Sequence, residues 1–452
     1  MILQVNIDDI PTNKEGKFIF ELKEYEEIEF LIGKIDEFSK NDLKLADFLK
    51  KKVKIIQTQK GVYIHADSYV GSAEFEKFIM HIRPKFSEIN KLPLLIDYAY
   101  ELEDKDIVET ELQFTSEYNL PLESLIRTLV SQCKKLIKTG LAKSYVSIQE
   151  NVPFLRGKLL LTQQIQNDIS MNLKFGCEYD EYSSNIIENQ IILFVLEKSY
   201  HLTKHPILKK QIQKIIHEFD MDVEYKEIVK NDFDIFYDRY NLQYEKIHLV
   251  CKLIFDELGV SDFYKHETSH IFPVFINMND LFEKYVVKLL KDSINNNEFV
   301  IVSEPNTHKQ VWESINLKNE MKKGIEPDII IYSKKPKKEV SIIADVKYMP
   351  STNVGEPQLY QIAFYLHEHK KQKGFALIPD SDQSDEIKWK SLTQGISIYL
   401  KKIPIDPILD MIYSKLSKEE IKTNLHEKVH NFFCNDLQNA NIPHMIDNKP
   451  IR

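Results

Sequence analysis

Glu326-Pro327-Asp328-Ile329-Ile330-Ile331 and Ile342-Ile343-Ala344-Asp345-Val346-Lys347-Tyr348 are the two segments whose reading decides the fold. Each is a short run of β-branched residues bounded by charge, the pattern of a buried strand. Between them, Ser333-Lys334-Lys335-Pro336-Lys337-Lys338-Glu339 is basic and turn-like. Proline cannot sit inside a sheet, so the chain is expected to reverse there. A hairpin folded about Pro336-Lys337 brings Asp328 opposite Asp345, close enough for the two carboxylates to share a cation. Side chains alternate along a strand, so Asp345 and Lys347 share one face, while Ile342, Ala344 and Val346 supply the core side.

The flanking segments extend this into an α/β pattern. A helix is expected from Phe275 to Leu290, capped by Asn277 or Asn279 and carrying Glu283. Phe299 to Ser303, Asp328 to Tyr332 and Val340 to Tyr348 read as strands, followed by a helix from Pro357 to His369 and a strand from Gly374 to Ile378. Gln361 and Tyr365 are four residues apart and share a helix face.

This set suits one kind of chemistry. Hard cations such as Mg²⁺ or Mn²⁺ take carboxylate and carbonyl oxygens, here Asp328, Asp345 and the carbonyl of Val346. Such a metal activates water and neutralises charge on a phosphoryl group. Lys347 orients the water or stabilises the developing negative charge. Glu283 is either a further carboxylate for the metal or a solvated helix charge, and Tyr365 either braces the site or packs in the core. Asp-x-Lys on its own is common and more often a surface ion pair worth little. Pro-Asp at the pairing distance and the apolar run into Asp-x-Lys favour the site.

The rest of the chain reads as two further regions. Val53 to Gln57, Gly61 to His65 and Phe78 to Arg83 read as strands, with Val70-Gly71 in a turn and an acidic linker from Glu101 to Glu111. The middle third reads as helical, with helices opening at Pro121 and covering Asn185 to Tyr200, and a polar helical stretch from His205 to about Tyr240; Ser144 to Ser147 begins an extended segment. The fold class is therefore multidomain α+β: a β-rich N-terminal domain over 1–110, a mainly helical region over 111–270 and a C-terminal α/β domain over 271–452. A chain of 452 residues is long enough for two or three cores.

Composition excludes several classes. Only 12 glycines and no Gly-x-x-x-x-Gly-Lys-Ser/Thr loop argue against a nucleotide site in this chain. The apolar runs, such as Ile191 to Leu196, are far too short to cross a bilayer. The N-terminus carries no signal peptide pattern, which points to the cytoplasm. Cys133, Cys177, Cys251 and Cys434 have no metal or redox spacing and read as buried thiols. His266 with His270, and His367 with His369, lack a third ligand at suitable spacing. A net charge of −9, from 60 basic and 69 acidic residues, argues against a protein that coats nucleic acid and points to a second subunit for tight DNA binding.

Pro-Asp, Asp-x-Lys and Gln-x-x-x-Tyr at this spacing resemble the PD-(D/E)xK nuclease superfamily, in its branch with a Gln-x-x-x-Tyr helix. The resemblance implies metal-binding acids at Asp328 and Asp345, a catalytic lysine at Lys347, and DNA-contacting or bracing roles for Gln361 and Tyr365. Asp67-Ser68-Tyr69-Val70-Gly71, Ile82-Arg83-Pro84-Lys85-Phe86, Leu155-Arg156-Gly157-Lys158, Glu188-Asn189-Gln190 and Asn279 to Tyr285 are, in that order, similar to the McrC family. That family supplies the endonuclease of McrBC modification-dependent restriction systems, beside a hexameric AAA+ GTPase. The implied partners are modified double-stranded DNA and a McrB-type motor, with the N-terminal region docking on the motor. Arg83, Lys85, Arg156 and Lys158 then lie near the docking surface or the DNA path, or are ordinary surface charges. Removal of residues 1–110 is expected to leave a folded nuclease domain. A stand-alone repair or restriction nuclease and a non-catalytic motor-activating adaptor are the alternatives.

Overall fold

In the computed structural model, the two isoleucine-rich segments are adjacent strands, Ile329–Ser333 and Glu339–Val346, in a six-stranded sheet. The structure describes residues 3–6, 10–13, 16–31, 38–59, 61–102, 120–203, 205–256, 273–294, 299–313, 322–334, 339–380, 388–391, 395–414 and 416–439. The strand order is Phe299–Ser303, Ile329–Ser333, Glu339–Val346, Lys373–Pro379, Ser397–Ile403 and Lys388–Lys390. The hairpin pairs Ile329 with Ala344, Ile330 with Ile343 and Ile331 with Ile342, the register that brings Asp328 and Asp345 together. A bulge then shifts the pairing to Tyr332 with Val340. The expected turn at Pro336-Lys337 lies outside the described residues.

Glu339–Val346 and Lys373–Pro379 run parallel, joined by the helix Glu356–Glu368, as a parallel pair requires. That helix buries Ile362, Tyr365 and Leu366 against Ile343, Ala376 and Ile378. Gly374 permits the approach: a Cβ there would stand 2.9 Å from Ile362 Cγ2. Side chains of the opposite parity meet the helix Met278–Ile294, whose Phe282 ring lies 5.4 Å from Tyr348. Both faces of the strand carrying Asp345 are therefore buried, not only the face of Ile342, Ala344 and Val346. The run reads as continuously apolar for this reason.

The helix expected from Phe275 begins three residues later. Val274–Asn277 is a strand beside Tyr69–Glu74, in a sheet ordered Val274–Asn277, Tyr69–Glu74, Phe78–Arg83, Phe18–Lys23. The Met278 N–H bonds to the Ser68 carbonyl at 2.8 Å, so pairing to a distant segment outweighs local helical periodicity. Tyr69–Glu74 is correspondingly a strand and not a turn. A second N-terminal sheet orders Leu3–Asn6, Glu27–Leu31, Gly61–Ala66 and Val53–Gln57.

Among the described residues, those within 1–71, 75–103 and 275–452 form one compact unit, and those within 72–74 and 104–274 a second. The six-stranded sheet and most residues of the N-terminal sheets thus fall in one unit, while Ser72–Glu74 and Val274 are counted with the other. Tyr98 donates to Asp292 Oδ2 at 2.9 Å, and the Glu88 N–H donates to Asp406 Oδ2 at 2.9 Å. The C-terminal helices Asp406–Ile412 and Lys418–Asn439 belong to the same unit, with His426 Nδ1 2.7 Å from the Ser293 carbonyl.

The second unit packs the helices Leu120–Thr139, Ile187–Leu202, Pro206–Asp220 and Glu245–Phe255. It also carries an antiparallel sheet ordered Ser144–Val152, Phe175–Ser183, Lys158–Leu159, which the helical reading does not anticipate beyond the extended start at Ser144. The polar helix ends at Asp220 and does not reach Tyr240. Asp232 and Asp238 side chains accept from the Val229 and Tyr240 N–H groups, competing with helical hydrogen bonds. Cys133, Cys177 and Cys251 are free and buried, whereas the side chain of Cys434 lies outside the described ones. Among the described residues no helix is long and apolar enough to cross a membrane.

Candidate active site

Asp328 stands at the entry of one strand and Asp345 near the exit of its neighbour, so the hairpin register alone brings the two acids together. The Val346 N–H donates to Asp328 Oδ2 at 2.6 Å. Asp345 is 0% exposed. Its Oδ2 lies 2.8 Å from Lys347 Nζ as an ion pair, while Oδ1 has no hydrogen-bond partner among the described residues. Buried polar atoms are nearly always satisfied, so an unsatisfied buried carboxylate oxygen points to a ligand of another kind.

The electrostatics fit that geometry. Burial, then the Asp345 carboxylate, push the Asp328 carboxyl up to about 8, against the Val346 amide and Lys347. Burial by itself would lower Lys347, but the Asp345 and Asp328 carboxylates outweigh it and hold the ammonium above its ordinary range. Crowded acids around one cation are how a site stores affinity for a positive ion.

Glu283, on the helix Met278–Ile294, is half-buried and raised by burial and by Glu304. It acts on Asp328 and is opposed by Lys347, so it stands in the field of the site. Glu304 and Glu326 carry no motif, and the sequence gives neither a role. Glu304 is raised by burial, Glu326 and Asp345. Its signal is a register: Ser303 pairs with Ile329, placing the next residue of one strand beside the preceding residue of the other. Only the tertiary pairing reveals that.

Gln361 Nε2 donates to the Tyr365 hydroxyl at 2.8 Å, and that hydroxyl lies 3.4 Å from the Glu326 carbonyl. Tyr365 packs in the core while its hydroxyl is raised by burial and by both aspartates, against Gln361 and Lys347. Of the two readings of Tyr365, core packing is the one seen here.

Arg83, Arg156 and Lys158 each have a local side-chain partner, and Lys85 is held through its backbone N–H. Arg83 pairs with Glu21 at 3.0 Å, and the Lys85 N–H donates to Glu24 Oε2 at 2.9 Å. The Arg156 guanidinium stacks 3.8 Å from the Tyr179 ring centre, and Lys158 pairs with Glu178 at 3.1 Å. The first two belong to one unit and the last two to the other.

Among the described residues no group of three or more His, Cys, Asp and Glu side chains is arranged to hold a metal ion. The donor set on offer is therefore two carboxylates and backbone oxygen, all hard. Asp345 Oδ1, without a hydrogen-bond partner among the described residues, fits such a cation. His266 and His270 lie outside the described residues.

A family model described as the McrBC 5-methylcytosine restriction system component matches residues 64–378. Among solved structures, the chain resembles one in the refined half-complex from the tetradecameric assembly of Thermococcus gammatolerans McrB AAA+ hexamers with bound McrC. Identity is 17%, the match covers 91% of this chain and 99% of that chain, and the TM-score is 0.54. A chain of the cryo-EM structure of the Thermococcus gammatolerans McrBC complex matches at 21% identity over 62% of this chain and 89% of that chain, with a TM-score of 0.42. No curated protein matches. At these identities the likeness is one of fold.

Proposed function

This chain belongs to the McrBC 5-methylcytosine restriction system family, and from that premise we propose that it is the DNA-cutting subunit, a PD-(D/E)xK nuclease of the McrC type. The observation that carries this reading is Asp345: fully buried, ion-paired through Oδ2 to Lys347, with no hydrogen-bond partner for Oδ1 among the described residues, and on the strand that pairs with the one Asp328 enters. A purely structural ion pair would leave Oδ1 buried without a partner, which is costly.

Asp328, Asp345 and the carbonyl of Val346 would hold Mg²⁺ or Mn²⁺. That ion supplies Lewis-acid stabilisation of the phosphoryl oxygens and an activated water. Lys347 directs the water and meets the negative charge that develops on the phosphorus oxygens. Val346 engages Asp328 through Oδ2 and so orients the carboxylate. Tyr365, tied to Gln361, closes the face of the sheet beside Asp345 and excludes water there. Gln361 is exposed and available to the DNA backbone. Glu283 and Glu304 add negative field that draws the cation in.

The partner follows from the family and the chain's own deficits. It has no phosphate loop, and at −9 net charge it has little general attraction for a polyanion. A McrB-type AAA+ motor would supply both nucleotide hydrolysis and DNA engagement in the cytoplasm.

The test is cleavage of a duplex containing 5-methylcytosine by this chain with its McrB-type partner and nucleotide, in Mg²⁺ and in excess EDTA. Cutting in Mg²⁺ that is lost in EDTA and in Asp345→Asn is expected. Full activity in EDTA would end the metal reading, and efficient nucleotide-independent cutting by the chain alone would favour a stand-alone nuclease.

A further inference from the structure

Tyr348 follows Lys347 and is 98% removed from solvent among Phe86, Phe282 and the turn at Glu24-Tyr25. Its hydroxyl donates to Glu24 Oε2 at 2.7 Å, and the same oxygen accepts from the Lys85 N–H at 2.9 Å. Its carbonyl accepts from the Tyr25 hydroxyl. Tyr25 adopts φ +63°, a left-handed conformation that residues with a side chain rarely take. The turn therefore holds an uncommon backbone shape while gripping both the side chain and the main chain of one distant residue. On the other side, the Lys347 N–H donates to the Leu377 carbonyl at 2.8 Å. The peptide joining Lys347 to Tyr348 is thus fixed from the six-stranded sheet and from the N-terminal region.

We infer that Glu24, Tyr25 and Tyr348 are positioning residues for Lys347, so that the N-terminal region forms part of the cutting site's support. The inference rests on the nuclease reading. Simple packing would be served by the aromatic rings around Tyr348. The three polar contacts do something else: they set the height and direction of the strand exit, and with it the place of Lys347 Nζ against Asp345. A displacement of a catalytic group by about 1 Å costs on the order of a hundredfold in rate.

The experiment is single-turnover cleavage of a 5-methylcytosine duplex by the full chain with its McrB-type partner, nucleotide and Mg²⁺. Tyr348→Phe keeps the ring and removes the grip; Glu24→Ala removes the acceptor; Glu24→Gln keeps an oxygen for both donors. Tyr348→Phe and Glu24→Ala should cut about tenfold to a hundredfold more slowly, with DNA and partner affinity unchanged, and Glu24→Gln should recover most of the rate. A merely structural role would make rates follow melting temperature without that recovery. Wild-type cutting by Tyr348→Phe, or equal loss in Glu24→Gln and Glu24→Ala, overturns the inference while the nuclease reading stands. If Tyr348→Phe fails to fold, the Glu24 pair decides. If the wild type does not cut while its partner is active, the nuclease reading falls and this inference with it.

Discussion

Val346 donates its backbone N–H to Asp328 Oδ2 at 2.6 Å, tying the entry of one strand to the exit of the next. The bond aims one aspartate across the hairpin at the other. It also leaves Asp345 to face Lys347 without competition from the backbone. The spacing of the two acids is therefore a property of sheet register and not of flexible side chains.

Removing either acid or the lysine should stop cleavage without unfolding the chain. Asp345→Asn and Asp328→Asn keep side-chain volume, and each should lower the rate by on the order of a thousandfold, because several kcal/mol of metal-borne charge stabilisation is lost. Lys347→Ala should cost about a hundredfold to a thousandfold. Single-turnover rates checked against unchanged circular dichroism are the measurement. An Asp345→Asn protein that cuts at the wild-type rate would move the site elsewhere.

The metal-free protein should lose stability as pH rises. The Asp328 carboxyl is raised by burial and Asp345 from an ordinary 3.8 to about 8, so the folded state favours the protonated form. Its contribution is fully present below about 4 and is lost as pH climbs through about 8. Glu24, also pushed up to about 8 by burial, acts in the same sense. The difference in melting temperature between wild type and Asp328→Asn isolates the site. That difference should grow from pH 5 to pH 8 and shrink when Mg²⁺ is added, since the cation replaces the proton. Parallel profiles for the two proteins would remove Asp328 from the titrating set.

Deleting the N-terminal region should damage the unit that carries Asp328 and Asp345, contrary to the expectation from sequence. Residues up to 103 supply Phe86 and Glu24 to Tyr348, Tyr98 to Asp292, and a partner strand to Val274–Asn277. Exposing Tyr348 and Phe282 alone costs about 3 kcal/mol or more. A chain starting at residue 104 should express poorly or melt well below wild type in calorimetry. A cooperative transition at the wild-type temperature would show that the sheet stands without this support.

Gly374→Ala should destabilise the six-stranded sheet. The added Cβ would sit 2.9 Å from Ile362 Cγ2 and 3.0 Å from Leu366 Cδ1, both buried. Overpacking of this kind costs about 1–3 kcal/mol. Urea denaturation should show a lower midpoint at unchanged slope. No shift would mean that the helix Glu356–Glu368 moves freely against its strand.

The sequence by itself determined the strands at the site, their hairpin register and the shared face of Asp345 and Lys347. These are local properties: a period of two and β-branched runs act within about twenty residues. It also determined the Gln361–Tyr365 pair, since helical spacing is equally local. Tertiary structure decided what lies beyond that range. It turned Val274–Asn277 into a strand, because a distant strand offered hydrogen bonds that local periodicity cannot express. It drew Glu304, at the end of a strand paired with Ile329–Ser333, into the field of Asp345 and Lys347. It also set Glu24 against Tyr348, 324 residues away, where only folding brings a buried acid and a phenol together. A contact's sequence separation carries no trace in composition or spacing, so the support of this site became visible only once the chain was folded.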